Sequence, residues 1–170
     1  DNGAAIQAPI KILNCNAGFK GRKGTLYEGG IRVPFIVNQP GMVPIQTLDN
    51  LIYFPDMMPT LAALAKGTKH LPKQNNGINI LPLFYGKQVD TDNRLLYWEF
   101  PGKQRAARKG DWKCVTIHPN QPLELYNLKE DPEETNNLAK KYPRRVKEFD
   151  EEMQRMHIPT PNWPQPGEQF

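Results

Sequence analysis

The sequence has 170 residues, and 22 Lys and Arg against 18 Asp and Glu give it a net charge of +4. That length admits one ordinary domain, or a small domain joined to part of a larger one. So mild a charge does not indicate nucleic acid, and no apolar run approaches the length of a membrane span.

The chain opens on Asp1-Asn2-Gly3 without the basic and apolar segments of a leader, which reads as a cut inside a longer protein. From residue 3 to 30 periodicity is weak and Gly and Asn are frequent, predicting a long loop of the kind that is usually functional or disordered. Ile31 to Val37 reads as a strand buried in an α/β sheet, closed by a turn at Pro40-Gly41. Asp56 stands where an N-cap belongs for a helix from about Met57 to Lys66. Pro59 is tolerable in its first turn, Met57, Leu61 and Leu64 form its buried stripe, and Gly67 is a natural stop. A polar loop over 68–79 leads to a short apolar segment from Ile80 to Phe84.

A different texture begins near Arg94. Leu95 to Phe100, Gln104 to Arg108, Trp112 to Ile117 and Leu123 to Leu128 read as four strands, the middle two joined at Gly110-Asp111. Pro143 opens an amphipathic helix with Val146, Phe149, Met153 and Met156 on one face. Lys147–Glu151 and Glu151–Arg155 are spaced as ion pairs along it. A tail carrying four prolines over 159–166 is expected to be extended. The predicted architecture is α/β. Residues 1–90 form the trailing piece of a larger α/β unit, 91–158 a small antiparallel sheet with one long helix, and 159–170 a Pro-rich tail.

Three short stretches carry residues suited to chemistry. Asp1 and Asn2 offer a carboxylate and an amide oxygen side by side, the ligands that hard cations such as calcium take, although Asn-Gly is first of all a turn signal. Lys23 lies among glycines that let the backbone approach a ligand, and its ammonium can meet an oxyanion; alone, a solvated loop lysine is the ordinary interpretation. Arg105, Arg108, Lys109 and Lys113, with Trp98 and Trp112, could form a basic surface, but strand residues alternate between faces. Cys15 and Cys114 could pair, though two cysteines so far apart specify neither a disulfide framework nor a zinc site.

The segment GRKGTLYEGGIRVPFIVNQPG over 21–41 resembles a signature of the sulfatase family, a Lys-Gly-Thr-x-x-Glu-Gly-Gly element before an Arg-containing strand. Further matches follow in order. Asp1-Asn2-Gly3 stands where the family has a metal pair, and Asp56-Met57-Met58-Pro59-Thr60-Leu61 resembles its helix start. Gly77 to Leu83, Leu96 to Phe100, Ala106 to Lys113, Glu124 to Leu128 and Asp131 to Leu138 resemble its later segments.

The resemblance implies an alkaline-phosphatase-like fold and hydrolysis of sulfate esters, of sulfated carbohydrates or aryl sulfates. It implies Asp1 and Asn2 as two ligands of one calcium ion, and Lys23 as the catalytic and substrate-binding lysine. Glu28 and Arg32 are expected to brace the loop and strand. The family's nucleophile is a formylglycine made from the Cys or Ser of a C/S-x-P-x-R motif. No such motif occurs here: Ser is absent, and neither Cys15 nor Cys114 has Pro at +2 or Arg at +4. The nucleophile, the remaining metal ligands and the active-site histidines are expected in a preceding part of the same protein, so the chain alone should be inactive. His70, His118 and His157 each stand alone and read as surface or core residues. An exported, periplasmic or lysosomal-type compartment follows by analogy. Two alternatives stay open: a phosphodiesterase or phosphonate hydrolase of the same superfamily, and a non-enzymatic module binding a sulfated glycan or partner chain.

Overall fold

The structure is a computed structural model that describes residues 3–5, 7, 14–100, 104–118, 120–162, 164 and 167–169. It forms two compact units, one of residues up to Pro34 together with those from Leu95 onward, the other Phe35–Arg94. Sequence alone divided the chain in order near residue 90. In space, the segment around Lys23 groups with the C-terminal sheet.

The first unit is built on four strands, β1 (Leu95–Phe100), β2 (Gln104–Lys109), β3 (Trp112–Thr116) and β4 (Glu124–Asn127). They pair antiparallel in chain order. The Gly110-Asp111 hairpin sets the central register, with Lys109 opposite Trp112 and Ala107 opposite Cys114. Because side chains alternate along a strand, the sheet buries both faces. One face presents Ala107, Cys114 and Leu125 to Phe149 and Met153 of the helix α4 (Pro143–Met156). Full burial of side chains like these two is worth about 1.5–3 kcal/mol each. The other face presents Ala106, Val115 and Tyr126 to Leu26 and Tyr27, so the glycine-rich segment before residue 30 lies packed on the sheet.

The four strands and the long helix agree with the sequence expectation. Several local expectations do not. Residues 31–37 form no strand: a short helical turn, α1 (Glu28–Ile31), ends at Arg32, and extended chain without ladder partners among the described residues follows. The turn forms because the Glu28 and Gly29 amides are already held, by the Glu134 carboxylate and the Lys20 carbonyl. Pro34 then lacks a ladder donor. On α4, Arg155 pairs with Glu152 at 2.7 Å, not with Glu151. Both cysteines are free; Cys114 is buried in the helix-side core and Cys15 is exposed.

The second unit contains α2 (Met57–Leu64) and α3 (Leu81–Phe84). Asp56 precedes α2 but makes no capping bond to it. Its buried carboxylate instead accepts from the Tyr53 amide at 3.0 Å, the Ile78 amide at 2.9 Å and Arg94 through both oxygens at 2.6 Å. The expected stripe of Met57, Leu61 and Leu64 is not the buried one. Leu61 and Leu64 are exposed, while Pro59 and Thr60 are buried, Thr60 accepting the Ile80 amide at 3.0 Å. Among the described residues no helix is long and apolar enough to cross a membrane.

Candidate active-site loop

Lys23 sits at the tip of a tight turn, Arg22-Lys23-Gly24-Thr25, closed by the Thr25 amide donating to the Arg22 carbonyl at 3.0 Å. Gly24 has φ +89°, the left-handed value that the third position of such a turn requires. The Thr25 hydroxyl accepts from the Arg22 amide at 3.1 Å and donates to its carbonyl at 2.9 Å, sealing the turn. Each member of Lys-Gly-Thr therefore has a distinct part, with the lysine left exposed at the apex.

Gly29 and Gly30 thread through the turn they follow. A Cβ on Gly29 would meet the Lys20 carbonyl at 2.6 Å, and one on Gly30 would meet the Thr25 carbonyl at 2.1 Å. Both neighbours are backbone, so neither position tolerates a side chain without moving the loop. The stretch that follows Asp1-Asn2 joins the same assembly. Gly3 packs against the Gly29 carbonyl, and the Lys23 amide donates to the Ala4 carbonyl at 2.9 Å. Asp1 and Asn2 themselves lie outside the described residues, and among the described residues no group of three His, Cys, Asp or Glu is placed to hold a metal.

Glu28 follows the turn and braces it. Its carboxylate meets Lys113 of β3 at 2.9 Å and is flanked by Arg108 at 3.7 Å and Arg32 at 3.9 Å. Lys113 is fully buried and also meets Glu134 at 2.8 Å, while Glu134 accepts the Glu28 amide at 2.6 Å. Burial raises the Glu134 carboxyl above its ordinary range against the opposing pull of Lys113. On the other flank, Glu124 accepts from the Tyr27 and Tyr126 hydroxyls at 2.7 and 2.6 Å, and Lys20 reaches Tyr126 at 2.9 Å. Burial pushes Glu124 up, but hydrogen bonds from Tyr126 and Tyr27 and the Lys20 charge outweigh it and hold the carboxyl below its usual range. Glu28 was expected to brace the loop and does so, whereas Gln104, Glu124 and Glu134, which also hold the loop, were not singled out. For Gln104 and Glu124 the available signal was their alternation along β2 and β4; Glu134 lies beyond β4 and had none.

The basic surface weighed from sequence does not assemble. Lys113 is consumed in the buried pairs, and Arg108 points to Glu28. Arg105 meets Asp150 of α4 at 3.5 Å. Trp98 and Trp112 pack on opposite faces of the sheet. His157 is not alone: it sits between Glu99 at 2.5 Å and Glu168 at 2.6 Å, and Tyr97 donates to the same Glu99 oxygen.

Residues 19–158 match the family described as N-sulphoglucosamine sulphohydrolase, C-terminal. The chain is 30% identical over 168 residues to a sulfatase of Formosa agariphila, spanning 84% of this chain and 30% of that protein. It is 30% identical over 150 residues to human arylsulfatase A, spanning 73% of this chain and 29% of that protein. Among solved structures, Ps i-CgsB in complex with k-i-k-neocarrahexaose superposes with a TM-score of 0.72 at 25% identity, over 87% of this chain and 34% of that one. The chain thus spans about 30% of the length of the curated relatives it matches.

Proposed function

The chain belongs to the sulfatase family, as its C-terminal portion, and on that premise we propose that it serves hydrolysis of sulfate esters by presenting Lys23 to the sulfate group. The observation that carries this is the exposed Lys23 at the apex of a rigid turn whose amide is bonded to Ala4, two residues beyond the Asp1-Asn2 pair. Cleavage of a sulfate ester builds negative charge on the sulfuryl and leaving oxygens. A fixed ammonium stabilises that charge more than it stabilises the ground state.

Asp1 and Asn2 would hold calcium. The donor set fits, being a carboxylate and an amide oxygen suited to a hard cation, and the close seating of Gly3 on Gly29 supports it. Bound there, calcium would supply electrostatic stabilisation of the sulfuryl oxygens. A preceding part of the same protein would contribute the remaining ligands and the formylglycine, so the 170-residue chain should show no turnover. Sulfated carbohydrates and aryl sulfates are the substrate classes in view, supported by the oligosaccharide in one solved relative and the name of another.

The test uses the longer protein with paired aryl sulfate and aryl phosphate substrates. Sulfate hydrolysis should dominate, and Lys23→Ala should lower kcat/KM for the sulfate by roughly 10²–10³, as for loss of one oxyanion donor. A phosphate preference would favour the phosphodiesterase alternative, and an unchanged kcat/KM would remove Lys23 from the site.

A further inference from the structure

An exposed lysine on a glycine-containing turn needs something to fix its direction. The loop's apolar contacts, Leu26 and Tyr27 on Ala106, Val115 and Tyr126, set its depth on the sheet. They do little to fix rotation about the turn, because apolar contact is not directional.

Hydrogen bonds are directional, and one side chain delivers two of them beside Lys23. Gln104 is the first residue of β2, is 8% exposed and points to the loop side of the sheet. Its Nε2 donates to the Gly24 carbonyl at 2.8 Å, and its Oε1 accepts from the Leu26 amide at 3.2 Å. A single planar amide therefore spans Thr25 and clamps the peptide groups on either side of it, starting with the residue after Lys23. Two other side-chain anchors of the loop lie outside this clamp, Lys20 on Glu124 and Tyr126, and Glu28 on Lys113. Of these three side chains, Gln104 is the one that bonds the backbone of the turn, which the Lys23 amide also ties to the Ala4 carbonyl at 2.9 Å. Glu cannot donate at that position, and Leu can neither donate nor accept.

Building on the proposed role of Lys23, we infer that Gln104 is a positioning residue of the hydrolytic reaction, acting through Lys23 by fixing the orientation of the Arg22–Thr25 turn. The C-terminal sheet is then part of the catalytic apparatus as well as a packing partner. A displacement of about 1 Å in a positioned group can cost on the order of 10² in rate. A Gln104 substitution should therefore be felt in chemistry before it is felt in folding.

The experiment has two arms. In the 170-residue chain, Gln104→Leu should speed amide hydrogen exchange at Leu26 at least about tenfold while Val115 and Leu125 keep their protection. In the longer protein, Gln104→Leu should lower kcat/KM for an aryl sulfate by about ten- to a hundredfold. On a Lys23→Ala background the same change should add less than about twofold, since a residue acting through Lys23 has nothing left to act on. Independent, multiplicative losses would overturn the inference, as would full activity of Gln104→Leu. Should that variant lose protection throughout the sheet, Gln104→Glu keeps the acceptor for Leu26 while turning the donor to Gly24 into a carboxylate oxygen that the carbonyl repels; the same cycle then decides. If Lys23→Ala alone leaves kcat/KM unchanged, the sulfate-binding role fails and the positioning role fails with it. Leu26 exchange would still report whether the clamp exists.

Discussion

Replacing Lys113 by Met removes the charge at the centre of the sheet's loop-facing side. Lys113 is fully buried, with its ammonium 2.9 Å from Glu28 and 2.8 Å from Glu134. Glu28 would retain Arg108 at 3.7 Å and Arg32 at 3.9 Å, whereas Glu134, itself fully buried, would keep the Glu28 amide as its donor and lose its ammonium. Stranding a buried charge in this way costs about 3–5 kcal/mol, a large part of the 5–15 kcal/mol that typically holds a domain folded. With a urea m-value of about 2 kcal/mol/M, the unfolding midpoint should fall by about 1.5–2.5 M. The assay is urea unfolding of the 170-residue chain followed by tryptophan fluorescence at pH 8 and pH 5. The pH dependence carries a sign. Burial already raises Glu134 above its ordinary 4.5, and removing Lys113 takes away the interaction that lowers it. A carboxyl whose folded pKa is raised binds more protons folded than unfolded, so stability is lost as pH rises from about 4.5 through the folded value. The Lys113→Met penalty should therefore be smaller at pH 5 than at pH 8. A midpoint shift under 0.3 M, taken as about the error of the measurement, or a penalty that grows on acidification, would refute the reasoning.

Asp56→Ala should leave Arg94 without its bidentate partner and two amides without an acceptor, destabilising the Phe35–Arg94 unit by about 3–5 kcal/mol; faster proteolysis between residues 53 and 80 is the measurement. For His157, burial lowers the imidazole pKa, but hydrogen bonds and charge from Glu168 and Glu99 outweigh it and raise it above 6.5. A raised histidine stabilises fully below 6.5 and loses that contribution as pH climbs through the folded value, so NMR titration should give a pKa above 6.5 that falls on Glu99→Gln. The Cys114 thiol is buried and pushed up to about 12 by desolvation first, so native chain at pH 8 should take one iodoacetamide, at Cys15, with a second only on unfolding, read by mass spectrometry.

Much of this fold could be read before the structure was known, and where that failed the cause was tertiary. β1, β3 and β4 were legible because Leu95–Phe100, Trp112–Thr116 and Glu124–Asn127 carry aromatic or β-branched residues, and β2, which carries neither, from the Gly110-Asp111 turn that joins it to β3. The α4 face was legible from the spacing of Phe149 and Met153. The apolar run Ile31–Val37 misled, because a strand exists only when another strand pairs with it, and composition does not say whether one does. The stripe on α2 misled for a related reason: Leu61 and Leu64 look buried by pattern, yet α2 turns Pro59 and Thr60 inward. In the site, Lys23 and Glu28 were visible as a motif. Gln104, Glu124 and Glu134 were not, because their partners lie 78 to 106 residues away in sequence.

Why a lysine should sit in the middle of that buried face is a separate matter from its stability. Buried ion groups are often no more stabilising than apolar residues of similar volume. Glu28→Gln, Lys113→Met and Glu134→Gln made together should therefore unfold within about 1–2 kcal/mol of the parent, unlike Lys113→Met alone. What the neutral triple variant lacks is a demand for one orientation. An ammonium that must satisfy Glu28 of the loop and Glu134 at once admits one seating of α1 on the sheet, whereas a methionine packs against several. In that variant the Gly29 amide, held at 2.7 Å by the Lys20 carbonyl, should exchange faster than in the parent while β3 stays protected. Unchanged Gly29 exchange would mean that the apolar contacts and the Gln104 clamp suffice to seat the loop, and that the charges serve only to balance one another.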